Sequence, residues 1–204
     1  MALDRGGPVL PPADLDRRPI RLRSLRPRLW WRIHRAALGP CHFSEQTANR
    51  LSSAGTAVIY LGQDPLTAFW EIFWDDLATR PPDERRIGRA KLNARRLRRV
   101  TPKRTLRVLD ATNPRTLNLL SAPAGTFAGP YPVCQAWAAA IARHASRPDG
   151  ILYLSARQQG GLCLALFGAR VDCAGLAFGA ATAVGDSPAI VNSLSEYRVK
   201  ILAD

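Results

Sequence analysis

The chain has 204 residues, 47% of them hydrophobic and 22% charged, which suits an ordinary globular protein with one substantial core. No apolar run approaches the roughly 18 residues of a membrane-spanning helix before Arg, Asp, Gln or Pro interrupts it, so an α-helical membrane protein is excluded and a soluble one expected. The formal charge of +13 is uneven: nineteen of the 29 basic residues fall in Arg17 to Arg35 and Arg85 to Arg107, stretches without Asp or Glu that attract polyanions, acidic protein surfaces and phosphorylated metabolites.

Residues 1–27 are basic and rich in Pro and Gly, with neither helical nor strand periodicity, and read as a loosely ordered N-terminal arm. The start, MALDRGGPVLPPADLDRRP, lacks the basic opening and apolar stretch of a secretory signal, which places the chain in the cytoplasm. The catalytic domain is expected over residues 28–204, with ordered structure from near Trp30. Cys41, Cys134, Cys163 and Cys173 stand far apart, with no CxxC pair and no histidine at ligand spacing. No metal site is expected, and the four read as reduced thiols, mostly small buried hydrophobes.

Ala57 to Gly62 (AVIYLG) is short and β-branched, and Asp64-Pro65 follows it as an N-cap with proline at the first helical position: a strand running into a helix. In that helix Leu66, Phe69, Trp70, Phe73, Trp74 and Leu77 repeat at three- and four-residue intervals and form one apolar stripe that must pack on the core. Pro81-Pro82 closes it. A strand is expected at Leu106 to Asp110, a short helix after Asn113-Pro114, and a longer one from Val133 to His144 opened by Pro132. After the Pro148-Asp149-Gly150 turn, ILYLS and LCLALF read as two strands, so Ser155 lies where a strand ends. Ser187-Pro188 starts one more short helix, and Glu196 to Leu202 closes a sheet. The mixed order of elements argues against a regular βαβ array.

The sequence has no GxGxxG, no GxxxxGK[ST], no HExxH and no GxSxG. Its three histidines, His34, His42 and His144, supply no partner set for a Cys or Ser nucleophile. What remains is a constellation: Arg32 in WRI, Phe43 and Arg50 in HFSEQTANR, Tyr60 in VIYLG, Glu71 in DPLTAFWEIF, and DGILYLSAR with Ser155 and Arg157. Arg50 and Tyr60 stand ten apart, and Tyr60 and Glu71 eleven apart. Order and spacing together resemble the RES domain, a family named for its Arg, Glu and Ser. YLG-x-DPLTAFWE fits that family's YLA-x-x-x-x-TA-x-x-E pattern, and YPVCQAWAAAIARHASRPDGILYLSAR fits its Q-x-x-A…DGI-x-Y-x-S-x-R signature, so the likeness covers roughly residues 30–168. The chain departs from the pattern at Leu51, where many relatives carry an aromatic, and at Leu154, where many carry proline.

The resemblance implies an α+β fold, a compact single domain of mixed sheet and helices like the ADP-ribosyltransferase toxins, with a cleft between two sheet halves. It implies a toxin of a toxin–antitoxin pair that cleaves the nicotinamide–ribose bond of NAD⁺ by phosphorolysis or hydrolysis. NAD⁺ is then substrate, with no cofactor and phosphate as a possible co-substrate. The implied partner is an acidic antitoxin, encoded next to the toxin. Catalysis falls to Glu71, Arg50 and Ser155, and substrate binding to Arg32, Tyr60 and Arg157. The chemistry of the residue types agrees. Cleavage builds oxocarbenium-like charge at the ribose carbon, which a fixed carboxylate stabilises. Read without the motif, Glu71 would be a solvated helix glutamate, roughly 125° from the middle of the apolar stripe. Arg32 and Arg50 offer planar forks for a pyrophosphate or ribose edge. Tyr60 could stack on nicotinamide, bond a phosphate or simply fill the core. Ser155, with no base beside it, is expected to hydrogen-bond substrate rather than attack it, and Arg157 is a further ligand of the same cleft. Two readings compete: a protein ADP-ribosyltransferase using the same site, and a nucleic-acid-binding module built on the arginine stretches. The second lacks interleaved aromatics and any helix-turn-helix or zinc signature.

Overall fold

The apolar runs VIYLG, GILYL and LCLALF show almost no polar alternation because the strands they form are covered on both faces. In the computed structural model, which describes residues 9–203, they are β3 (Val58–Gly62), β7 (Gly150–Leu154) and β8 (Leu162–Phe167). Ile151, Tyr153, Cys163, Ala165 and Phe167 face a core shared with Trp137 and Ile141 of the long helix expected after Pro132. Leu152, Leu164, Leu166, Ile59 and Leu61 face the other way, around Trp30. Period-two geometry thus assigns alternate residues of each strand to different cores.

These strands sit mid-sheet. With β1 (Leu22–Leu25), β2 (Trp30–Arg35), β5 (Arg95–Pro102), β6 (Leu106–Asp110), β9 (Leu176–Phe178) and β10 (Thr182–Ala183), they run in the order β1-β6-β7-β8-β3-β2-β5-β10, and β9 also pairs with β5. All pairings are antiparallel except β6 with β7. β4 (Arg86–Gly88) and β11 (Lys200–Leu202) form a separate parallel pair. Among the described residues five helices pack on this framework: α1 (Pro65–Leu77), α2 (Arg89–Asn93), α3 (Pro114–Leu120), α4 (Tyr131–Arg143) and α5 (Pro188–Glu196). The fold is α+β, and no helix among the described residues is long and apolar enough to cross a membrane.

α1 begins as its sequence requires, with the Asp64 carboxylate accepting the Thr67 amide at 2.7 Å and Pro65 in the first turn. Its stripe buries Phe69, Trp70, Phe73 and Leu77 against Ile190 and Leu194 of α5 and against Ile33 and Leu97 of the sheet.

Three expectations need correction. Residues 1–8 lie outside the described residues, but the rest of the N-terminal arm is not without strand: β1 pairs with β6, and Leu15 is buried. Of Glu196 to Leu202, only Lys200–Leu202 is a strand, and Glu196 still belongs to α5. Finally, the four cysteines are not all thiols. Cys134 and Cys163 are free and buried, but Cys41 and Cys173 form a disulfide across 132 residues of sequence. Such a bond is typical of oxidising surroundings, so cysteine usage no longer supports a reducing compartment.

One polar network anchors the mid-sheet. Asp149, 6% exposed, accepts two N–H bonds from the Arg104 fork at 2.7 Å each and a third from the Arg107 amide at 2.7 Å. Burial alone would raise its pKa, but these donors outweigh burial and hold it below the ordinary 3.8. A depressed folded-state pKa contributes stability that is complete above the unfolded value and fades as pH falls through the folded one. Wild type should therefore lose stability as pH drops below about 4, and Asp149→Asn should be less stable at pH 7 with a flatter acid limb. Urea midpoints measured between pH 2.5 and 7 check this; parallel curves for the two proteins would contradict it.

Candidate active site

Two neighbouring strands part company here. β2 and β3 pair only at Trp31 with Gly62, whereas β2 keeps register with β5 over six residue pairs and β3 with β8 over five. Beyond that contact a cleft of about 290 Å³ opens between the two halves of the sheet. At the strand contact, taken as the apex, Gly62 lines a small hollow that adjoins the cleft and shares Tyr60 and Glu71 with it. A Cβ at this position would lie 2.6 Å from the Ala68 amide nitrogen, so glycine lets the opening turn of α1 lie directly on β3. One turn further along the helix, Glu71 reaches the cleft wall.

Arg32, Arg50, Tyr60, Glu71 and Arg157 all line this cleft. Ser155 stands behind it, immediately after β7, and donates its hydroxyl proton to Glu71 Oε1 at 2.6 Å. Ser155 Oγ in turn accepts the amides of Arg157 at 3.0 Å and Gln158 at 2.9 Å. A serine hydroxyl has one proton and two acceptor positions, so all its capacity is used. Ser155 was expected to bond substrate; in this arrangement it orients the carboxylate instead. Ser155→Ala should lower kcat about tenfold, the worth of roughly one charge-assisted hydrogen bond, with KM little changed. A rise in KM at constant kcat would mean that the hydroxyl contacts substrate after all.

Arg50 lies on the irregular segment between residues 39 and 57, and others hold it in place. Gln135 of α4 donates to the carbonyls of Thr47 and Asn49 at 2.7 and 2.8 Å. The Tyr60 hydroxyl accepts the Leu51 amide at 2.9 Å and donates to Ser52 Oγ at 3.2 Å. Burial pushes the Tyr60 pKa up to about 12, so the phenol stays protonated and occupied with the loop, leaving its ring to face the cleft. The Arg50 guanidinium donates to Gly129 O at 2.9 Å and sits 4.9 Å from the centre of the Tyr131 ring.

Arg32 is 7% exposed and spans the parted strands, donating to Tyr60 O at 3.4 Å and His42 O at 2.7 Å. Burial lowers its pKa to about 10, which keeps it cationic at neutral pH, and its Nε is buried without a hydrogen-bond partner. Arg157 pairs with Asp75 at 2.9 Å. Altogether the cleft presents five arginines, the other two being Arg35 and Arg95, against the carboxylates of Glu71 and Asp75. It suits an anionic ligand with one locus of positive charge near Glu71.

Asp75, Tyr131, Gln135, Arg35 and Arg95 were not among the expected site residues. Asp75 has a signal in the sequence, because it follows Glu71 by four residues on one helix face. Tyr131 comes from a helix that only the tertiary fold brings to the cleft. Gln135 was visible as the glutamine of the Q-x-x-A signature but had no stated task.

The RES domain family model matches residues 29–182 of this chain. No curated protein matches the sequence. Among solved structures, a chain of the M. tuberculosis MbcT-MbcA toxin-antitoxin complex is similar, with a TM-score of 0.62 and 18% identity over 85% of this chain and 92% of that one. At that identity the likeness is one of fold.

Proposed function

The chain belongs to the RES domain family, and we propose that it is a toxin that cleaves NAD⁺ at the nicotinamide–ribose bond, with phosphate or water as acceptor. The observation that carries this reading is the Glu71 carboxylate, held by Ser155 at 2.6 Å on the wall of an arginine-lined cleft. The pyrophosphate of the dinucleotide would lie against Arg50 and Arg32, and the nicotinamide-bearing ribose against Glu71. As the glycosidic bond breaks, its electron pair leaves with nicotinamide, which becomes neutral, and the ribose carbon becomes cationic. Glu71 opposes that charge from a fixed position, so little reorganisation is needed as it develops. Phosphate oxygen then forms the new bond to give ADP-ribose-1″-phosphate; water gives ADP-ribose and releases a proton. The positive cleft raises the local concentration of phosphate.

An enzyme that drains NAD⁺ needs restraint, and an acidic antitoxin covering the cleft would supply it. Opposite charge would speed the encounter more than it tightens the complex. Added salt should therefore slow association. The MbcT-MbcA neighbour is itself a toxin–antitoxin complex, which supports this partner class. Against the nucleic-acid reading, several arginines of the second stretch are occupied: Arg96 and Arg98 donate to backbone carbonyls, and Arg104 is tied to Asp149. Expression of the chain alone in a bacterial host tests the toxin reading. Wild type should arrest growth and deplete cellular NAD⁺, whereas Glu71→Ala should do neither; equal growth and equal NAD⁺ for the two would overturn it.

A further inference from the structure

The open end of the same cleft carries a second cationic centre that the reaction above does not use. Arg35 stands directly opposite Arg95 in the β2–β5 register, and both line the cleft. Like charges facing each other across an antiparallel pair are destabilising. Burial, and after it the Arg35 charge, lowers the Arg95 pKa. Neither arginine forms an ion pair among the described residues, and Asp76, an acidic group that acts on Arg95, is held by Lys91 at 2.8 Å. Two guanidinium forks on facing strand residues, neither held in an ion pair, match a phosphate group in charge and in donor geometry.

Position says which phosphate. The apex contact is at Trp31, and Arg35 lies four residue steps further along the strand, roughly 13 Å at the usual rise. With the reacting ribose at Glu71 near the apex, that distance reaches the far ribose of an extended dinucleotide. We propose that Arg35 and Arg95 form a phosphomonoester subsite, which extends the substrate class to dinucleotides phosphorylated on the far ribose; this rests on the NAD⁺-cleaving reading. Free inorganic phosphate shares the same chemistry and is the other possible source of the occupant.

The test uses the full chain as wild type, as the Arg35→Ala/Arg95→Ala double variant, and as Arg35→Glu. The last should fold at least as well as wild type, because it converts a repulsive pair into an attractive one, and it still removes the subsite. Nicotinamide release is measured from NAD⁺ and NADP⁺ across a phosphate series, and adenosine 2′-phosphate and inorganic phosphate are titrated calorimetrically without turnover. Wild type is expected to favour NADP⁺ over NAD⁺ at least about tenfold in kcat/KM, with that ratio collapsing in both variants and adenosine 2′-phosphate binding lost. A ratio near one, with the phosphate requirement raised at least tenfold in the variants, would assign the subsite to inorganic phosphate. Unchanged ratio, phosphate dependence and titration in Arg35→Glu would overturn the proposal. If wild type releases nicotinamide from neither dinucleotide, the NAD⁺ reading fails, and the titrations alone decide the subsite.

Discussion

Replacing Glu71 by Gln is expected to lower nicotinamide release from NAD⁺ at least about 100-fold, equivalent to roughly 2.7 kcal/mol of barrier, while leaving thermal unfolding unchanged. The swap preserves shape and keeps a carbonyl oxygen where Ser155 donates at 2.6 Å, so the surroundings have no cause to rearrange. Only the charge that opposes the developing ribose cation is removed. Steady-state kinetics with a melting curve on the same preparation separate the two effects. Residual activity within about tenfold of wild type would show that Glu71 is not the principal stabiliser, and a large fall in melting temperature would show that it is structural.

Gly150→Ala should cost about 3 kcal/mol or more of stability, a drop of roughly 6–12 °C in melting temperature for a chain of this size. Gly150 begins β7 between β6 and β8, opposite Leu166. A Cβ there would fall inside the Ala165 carbonyl and lie 3.0 Å from the Leu166 Cα, and neither neighbour is the end of a flexible side chain. Mid-sheet backbone has no room to yield. Differential scanning calorimetry checks the shift; a melting temperature within about 2 °C of wild type would mean that the two strands separate at small cost.

Legibility in the sequence followed physical cause. Elements with one strong local reason were readable: the Asp64-Pro65 start of α1, the Asn113-Pro114 start of α3, and the apolar runs of β3, β6, β7 and β8. β5 was not, because its apolar positions Leu97 and Val100 follow the arginine pairs Arg95-Arg96 and Arg98-Arg99, and the stretch read as a charge field. β1 was hidden for the same reason, among Arg21, Arg23 and Arg26. The disulfide was beyond reach, since Cys41 and Cys173 meet only once the fold brings their loops together. At the site, motif spacing assembled five of the six proposed residues around one cleft and put Ser155 just behind it. It could not say that the hydroxyls of Ser155 and Tyr60 are spent on holding Glu71 and the Arg50 loop, because hydrogen-bond capacity is consumed by partners far away in sequence.

The most direct measurement is product analysis on the purified chain incubated with NAD⁺, with and without phosphate, following nicotinamide and the sugar product by chromatography and mass spectrometry. The expected result is nicotinamide release in step with NAD⁺ loss, with ADP-ribose-1″-phosphate formed when phosphate is the acceptor and ADP-ribose when water is. ADP-ribose appearing mainly on a protein target would move the same site to the transferase reading. Intact NAD⁺ under both conditions, with a folded wild-type chain, would contradict cleavage at this cleft.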